Sequence, residues 1–377
     1  MQIGLKSGVL SLEVESAEFE LEDICGFASR QNPKRGFLFV SKILGKHYPV
    51  KPHKMKQVYH SLASKISDYV SSDNSPLFLG FAETATGLSS GVYQAWKDNH
   101  LQYSYFIHTT RYHFSDKKVL FNFQEEHSHA TGHIVYHPDD SRFSLSKHDT
   151  LVLVDDEMTT GKTMTNFIDE FLKLNECKVK KIILVCIKNW MLEESVLIFR
   201  NKFPDVQVEF VHVLKGVYSF EKDDSFVCEA MPNVDGNSLP KDSLISKNYG
   251  RFGVENFPLY DFDKSLKDID KTKKTLVLGT GEFSYHPFLL ADHLESQGVD
   301  VVYQSTTRSP IMVGNDIAHK LSFTDNYDDK IANFVYNVAE DQYEQVIICY
   351  ETSNVADFNL DKTLKAKNVF FEQLKAR

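Results

Sequence analysis

Four short apolar runs constrain this chain most. "PLFLGFA" (Pro76–Ala82), "YSYFIH" (Tyr103–His108), "DTLVLVDD" (Asp149–Asp156) and "KKIILVCIK" (Lys180–Lys188) lack the regular alternation of polar and apolar residues. A strand with one wet face alternates. A strand buried on both faces does not, and such strands belong to parallel sheets covered by helices. Amphipathic stretches such as Met164–Leu174 lie between some of the runs. The pattern predicts an α/β fold with a parallel sheet.

The chain has 377 residues, too many for one ordinary core. Residues 221–273 change character: "EKDDSF", "NVDGNSLPKDS" and "YDFDKSLKDIDKTKK" are polar, charged and rich in turn formers. They predict an extended linker between a first domain, residues 1–220, and a second, smaller Rossmann-like α/β domain, residues 274–377. The second begins at "KTLVLGTGEF". It continues with a helix near His286–Gln297 capped by Gly298, a strand at "DVVYQ" and a last strand at "EQVIICY".

A net charge of -10 argues against binding nucleic acid through a basic field. No apolar run approaches the roughly 20 residues that cross a bilayer, and the acidic N-terminus lacks an apolar signal core. Five scattered cysteines with no CxxC pair give neither a zinc ribbon nor a disulfide framework. The expectation is a reduced, cytoplasmic protein with small-molecule partners, no nucleic acid and no membrane.

The stretch "LVLVDDEMTTGKT" (Leu151–Thr163) carries the chemistry. Its "GKT" matches the end of a nucleoside-triphosphate loop. That loop needs a glycine five positions before its GK glycine, where this chain has Asp156, whose side chain would block the turn and repel phosphate. A second reading fits. Asp155 and Asp156 end a buried strand, where ligands bind in open parallel sheets. Thr159, Thr160, Gly161, Lys162 and Thr163 then open a helix, whose free N–H groups form an anion site. Two carboxylates accept from vicinal hydroxyls and one cradle holds one phosphate, so the matching ligand is a ribose 5-phosphate. The plain alternative is a turn whose acids cap the helix.

A short apolar strand, two acids, two further residues and a Thr/Gly-rich loop resemble the signature of the type I phosphoribosyltransferases. The departure is Glu157, where that family usually has an apolar or small residue. The resemblance implies a Rossmann-like parallel sheet with a hood. Asp155 and Asp156 would grip the ribose hydroxyls of phosphoribosyl pyrophosphate (PRPP), and Thr159 to Thr163 its 5-phosphate. It also implies Mg²⁺, bound mainly through PRPP with Asp155 and Asp156 as further candidates. The transition state gathers charge on the departing pyrophosphate, which calls for a pyrophosphate loop, a cation and a cover. Thr84, Ala85, Thr86 and Gly87 follow the strand at Pro76–Ala82 and suit the loop; Arg111, in "HTTRY", suits the cation. The plain alternatives are a loop without ligand and a surface arginine.

Within "FNFQEEHSHATGHIVYHPDD" (Phe121–Asp140), Glu125, Glu126, His127 and His129 are candidates for acid/base work in a closing loop. His127, His129 and His133 also admit a metal cluster, without an evident fourth ligand. "NPKRGFLFVSKILGKHYPVKPH" (Asn32–His53), with Lys54 just beyond it, gathers Lys34, Arg35, Lys42, Lys46 and Lys51. It is either a solvated basic face or, by resemblance to orotate-type enzymes, a hood over the acceptor. Together with "GFAETATGL", "EEHSHA" and "STTRSP", it is similar to one bacterial family. These are orotate-phosphoribosyltransferase-like proteins with a C-terminal TRSP domain, associated with tellurium-resistance genes. Membership implies Mg²⁺-dependent transfer of ribose 5-phosphate from PRPP to an unidentified base-like acceptor, or the reverse. The alternative is a non-enzymatic PRPP sensor. A homodimer is compatible with the resemblance.

The second domain's "LVLGTGEFSYHP" lacks the third glycine of a dinucleotide fingerprint, having Ser284 there. Gly80, Arg111 and Asp155 are spaced much as Gly279, Arg308 and Glu351 are. This suggests a degenerate echo of the first domain, with an anion site at Gly279, Thr280, Gly281, Thr307, Arg308 and Ser309; generic architecture gives such spacings too.

Overall fold

In a computed structural model, residues 1–32, 35–124, 132–227, 239–353 and 358–374 are described. The first unit is built on an eight-stranded sheet. Five parallel strands form its centre: Gln207–Lys222, Lys181–Asn189, Thr150–Val154, Pro76–Gly80 and Tyr105–His108, in that spatial order. Every residue of Thr150–Val154 and Pro76–Gly80 is buried, so the unbroken apolar runs are strands covered on both faces. Gly8–Ala17 joins Gln207–Lys222 antiparallel, and Gln2–Leu5 follows it at the edge. The short strand Glu157–Met158 also pairs with Lys181–Asn189.

Helices Pro52–Ser67 and Thr86–Lys97 cover one face of this sheet, and Lys162–Phe171 lies on the other. The last buries Met164, Phe167, Ile168 and Phe171, the amphipathic spacing read from the sequence. The second unit has a four-stranded parallel sheet, in the order Val301–Ser305, Thr275–Gly279, Gln345–Tyr350, Lys367–Phe370. Helix Tyr285–Ser296 packs on it. The architecture is thus α/β with parallel cores, as expected. The hairpin Lys320–Thr324 with Ala332–Tyr336, between these strands, was not legible in the sequence.

One apolar cluster joins the two sheets, running from Val152 and Ile183 through Tyr59, Leu88 and Phe288 to Val277 and Ile347. Much of the polar connection is also inside. Phe252 and Phe257 are buried, and so are the charged side chains of Lys241 and Arg251. The charges are tolerated because they are matched: Lys241 pairs with Asp329 at 2.5 Å, and Arg251 with Glu351 at 2.5 Å and Glu282 at 3.1 Å. Among the described residues no helix is long and apolar enough to cross a membrane.

Candidate active site

The Thr150–Val154 strand delivers Asp155 and Asp156 at its C-terminal end, where the Asp155 N–H still bonds to the Val185 carbonyl at 2.9 Å. Asp156 donates its own N–H to Asp155 Oδ1 at 2.9 Å. The chain then turns through Thr159 and Thr160 to Gly161, which has φ +73° and caps helix Lys162–Phe171. A β-carbon at Gly161 would press on Met191 and Phe199, so conformation and space both call for glycine.

This turn forms one wall of a cavity of about 170 Å³, lined by Asp155 to Met164. A second wall is Phe81 to Thr84, the loop after strand Pro76–Gly80, with Arg111 and His133 beside it. A third comes from the N-terminal segment: Arg30, Arg35, Leu38 and His47. The fourth is Thr307, Arg308 and Ser309 of the second unit. Another cavity, between Arg251, Glu282 and His286, is about 10 Å³ and has room for no more than about one water.

Buried pairs set the charges around the large cavity. Arg35 Nη2 lies 2.7 Å from Glu157 Oε1 and Lys188 Nζ 3.4 Å from Oε2. Burial opposes ionisation of Glu157, but these two cations outweigh it and hold its carboxyl below the usual carboxylate range. Burial and the neighbouring Glu157 push Asp156 up to about 6, against the pull of Lys188. Glu83 also resists its burial. Arg308, Lys46 and Arg111 bring its carboxyl down to about 2. His47 is buried, and burial with Lys46 and Lys188 nearby pushes it down to about 3, so it is neutral.

The structure brings together Asp155, Asp156, Thr159 to Thr163, Thr84, Arg111 and Thr307 to Ser309. Ala85, Thr86 and Gly87 stand behind the wall in the first turn of helix Thr86–Lys97. Thr86 Oγ1 is 2.8 Å from Ser284 Oγ there. Gly279, Thr280 and Gly281 face protein groups: Thr280 Oγ1 donates to Cys349 O at 3.2 Å, the Gly281 N–H donates to Thr306 Oγ1 at 2.8 Å, and the Gly281 carbonyl accepts from Lys46 Nζ at 2.8 Å. Glu351, the counterpart of Asp155 in the proposed echo, is fully buried against Arg251 and Tyr327. Glu125, Glu126, His127 and His129 lie outside the described residues. His133 is buried, with Nδ1 2.9 Å from Thr109 Oγ1 and its ring stacked on Phe123. Among the described residues no group of three or more His, Cys, Asp or Glu is placed to hold a metal.

The basic N-terminal cluster is mostly ion-paired, with Arg35 largely buried and Lys54 half exposed. Arg35 holds Glu157, Lys42 lies 2.9 Å from Asp316, Lys51 2.5 Å from Asp300 and Lys54 3.9 Å from Asp23. Lys34 lies outside the described residues. Sequence reasoning missed Arg30 and Lys188, and took Glu83 and His47 only as members of the Phe81–Gly87 loop and the Asn32–His53 segment, not as charges of the site. Their meaning comes from partners far away in the chain, and no local spacing announces it.

A strand-end pair of acids, a turn that opens a helix at Gly161 and a cavity at the C-terminal ends of parallel strands define a class: α/β proteins with their site at the strand ends. A family profile described as "Phosphoribosyl transferase" matches residues 24–217, just over half of the chain, and the chain belongs to that family. It is accordingly an enzyme of the pentosyl-transferring type. A second profile, described as the TRSP domain C-terminal to that one, matches residues 248–366. Solved structures similar to this chain include the adenine phosphoribosyl transferase of Trypanosoma brucei in complex with AMP, pyrophosphate and ribose-5-phosphate. It has 12% identity over 51% of this chain and 78% of that one, with a TM-score of 0.36. The adenine phosphoribosyltransferase of Leishmania donovani has 14% identity over 52% and 78%, TM-score 0.35. A hypoxanthine phosphoribosyltransferase of Staphylococcus aureus has 13% identity over 56% and 84%, TM-score 0.25. No curated protein matches the sequence significantly.

Proposed function

We propose that the enzyme takes ribose 5-phosphate from PRPP and joins it to a base-like acceptor, or runs the reverse reaction. The observation that carries this reading is the turn from Asp155 to Thr163, which offers two carboxylates and an anion cradle to one cavity. In this reading Asp155 and Asp156 accept from the two ribose hydroxyls. The N–H groups and hydroxyls of Thr159 to Thr163, with Lys162, hold the 5-phosphate. Phe81 to Thr84, the part of the loop that lines the cavity, and Arg111 receive the pyrophosphate, with Ala85, Thr86 and Gly87 behind them. The N-terminal segment, through Arg35, Leu38 and His47, covers the acceptor.

Mg²⁺ fits this reading as a metal carried mainly by substrate oxygens, because Asp155 and Asp156 put hard oxygen donors on the cavity wall while the carboxylates of Glu83 and Glu157 there are paired with cations. Bound there, it would neutralise charge on the pyrophosphate. Glu125, Glu126 and His127 remain the proposed acid/base candidates. The division into residues 1–220, 221–273 and 274–377 belongs to the same proposal, as do a homodimeric state and a cytoplasmic location.

The test is to incubate the protein with PRPP, Mg²⁺ and fractionated cell extract, and to follow pyrophosphate together with new ribosylated masses. Release of pyrophosphate coupled to a new phosphoribosyl adduct is expected. Pyrophosphate-free turnover, or consumption of PRPP with no adduct in any fraction, would count against transfer to an acceptor.

A further inference from the structure

The second unit sets a cation into the cavity of the first. Arg308 follows strand Val301–Ser305 and, with Thr307 and Ser309, lines the cavity that the Asp155–Thr163 turn also lines. Its main-chain N–H donates to Glu83 Oε1 at 3.0 Å, and its Nε lies 3.3 Å from Glu83 Oε2. The Tyr112 ring backs the guanidinium at 5.6 Å. Pairing with Glu83 therefore explains the main chain and Nε. It does not explain Nη2, which is buried with no hydrogen-bond partner. A buried guanidinium N–H without a partner is costly, and a ligand oxygen in the cavity would supply the missing acceptor.

Lys46, 2% exposed, lies 4.0 Å from Glu83 Oε1. Lys46 and Arg308 thus both face Glu83, in the loop formed by Ala82, Glu83 and Thr84. Burial pushes Lys46 down to about 8 against the pull of Glu83 and Glu282.

We propose that Arg308, supplied by the second unit, binds the diphosphate of PRPP and the pyrophosphate that leaves. This rests on the reading of the cavity given above and adds the residue that recognises its leaving group. In the transfer, the bond from ribose C1 to the pyrophosphate oxygen breaks and its electron pair goes to pyrophosphate. The acceptor's nucleophilic atom bonds to C1 and its proton departs. Arg308 meets the charge that grows on the leaving oxygens, with a fork of donors shaped for phosphate.

Titration calorimetry on the full chain with two probes tests this: inorganic pyrophosphate with Mg²⁺, and ribose 5-phosphate. Arg308→Gln is expected to weaken pyrophosphate by about 10-fold or more, the cost of one charge-assisted hydrogen bond or more, while ribose 5-phosphate changes little. Because the single variant leaves Glu83 with a missing partner, the double variant Arg308→Gln/Glu83→Gln is measured beside it and is expected to show the same selective loss. Unchanged pyrophosphate affinity in both variants, or equal loss of both probes in a folded protein, would overturn the assignment. If the unaltered protein fails to bind ribose 5-phosphate, the reading of the cavity falls instead, and the proposal with it.

Discussion

Asp156 sits where two demands conflict. Its carboxylate must be ionised to accept from ribose hydroxyls, yet burial and Glu157 push its proton affinity up to about 6. PRPP affinity should therefore decline as pH falls through about 6, and titrations on either side of that value check it. Replacing Glu157 with Gln removes the second cause and should move the decline to lower pH; an affinity indifferent to pH across this range would contradict the assignment of Asp156. Gly161 gives a second test. An L side chain in its left-handed conformation costs about 1–2 kcal/mol, and the β-carbon would also meet Met191 and Phe199. Gly161→Ala should lower the melting temperature and weaken ribose 5-phosphate binding, whereas an unaltered melting curve would speak against this geometry.

At the scale of elements, the strands were legible because burial on both faces leaves its mark on every residue. The four apolar runs became Pro76–Gly80, Tyr105–His108, Thr150–Val154 and Lys181–Asn189. Helix Lys162–Phe171 was legible from its apolar spacing. The connecting segment was not, because a charge reads as solvated until its partner is known. Arg251 is neutralised by Glu282 and Glu351, residues whose proximity only the tertiary fold creates. Glu282 also accepts from Thr110 Oγ1 at 2.6 Å and from the Arg111 N–H at 2.8 Å. It is thus a positioning residue for the turn that carries Arg111. Glu282→Gln breaks a buried ion pair and should cost about 3–5 kcal/mol, read from denaturant midpoints. A midpoint that does not move would show that the turn holds itself.

At the scale of the molecule, the apolar cluster that joins the two sheets makes separate unfolding of the units unfavourable. Calorimetry should give one cooperative transition, and a fragment ending at residue 220 should lose it; a fragment with a sharp melt of its own would contradict this. Acid should weaken the whole structure. His47, His108, His148 and His286 are buried, and burial pushes them down to about 3 or 4 from an ordinary 6.5. The unfolded chain binds these protons below 6.5 and the folded chain does not. Stability is therefore lost as pH falls from 6.5 toward 4, by up to roughly 1.4 kcal/mol per pH unit for each histidine. Thermal melts across that window measure the slope.

The strand-end acids carry the functional reading, and calorimetric titration of PRPP into the unaltered protein and into Asp155→Asn/Asp156→Asn tests them most directly. Tight binding in the first and its loss in a folded double variant, by about 100-fold or more for several charge-assisted hydrogen bonds, is the expected result. Equal affinity in the two proteins would place the sugar phosphate elsewhere and contradict the reading.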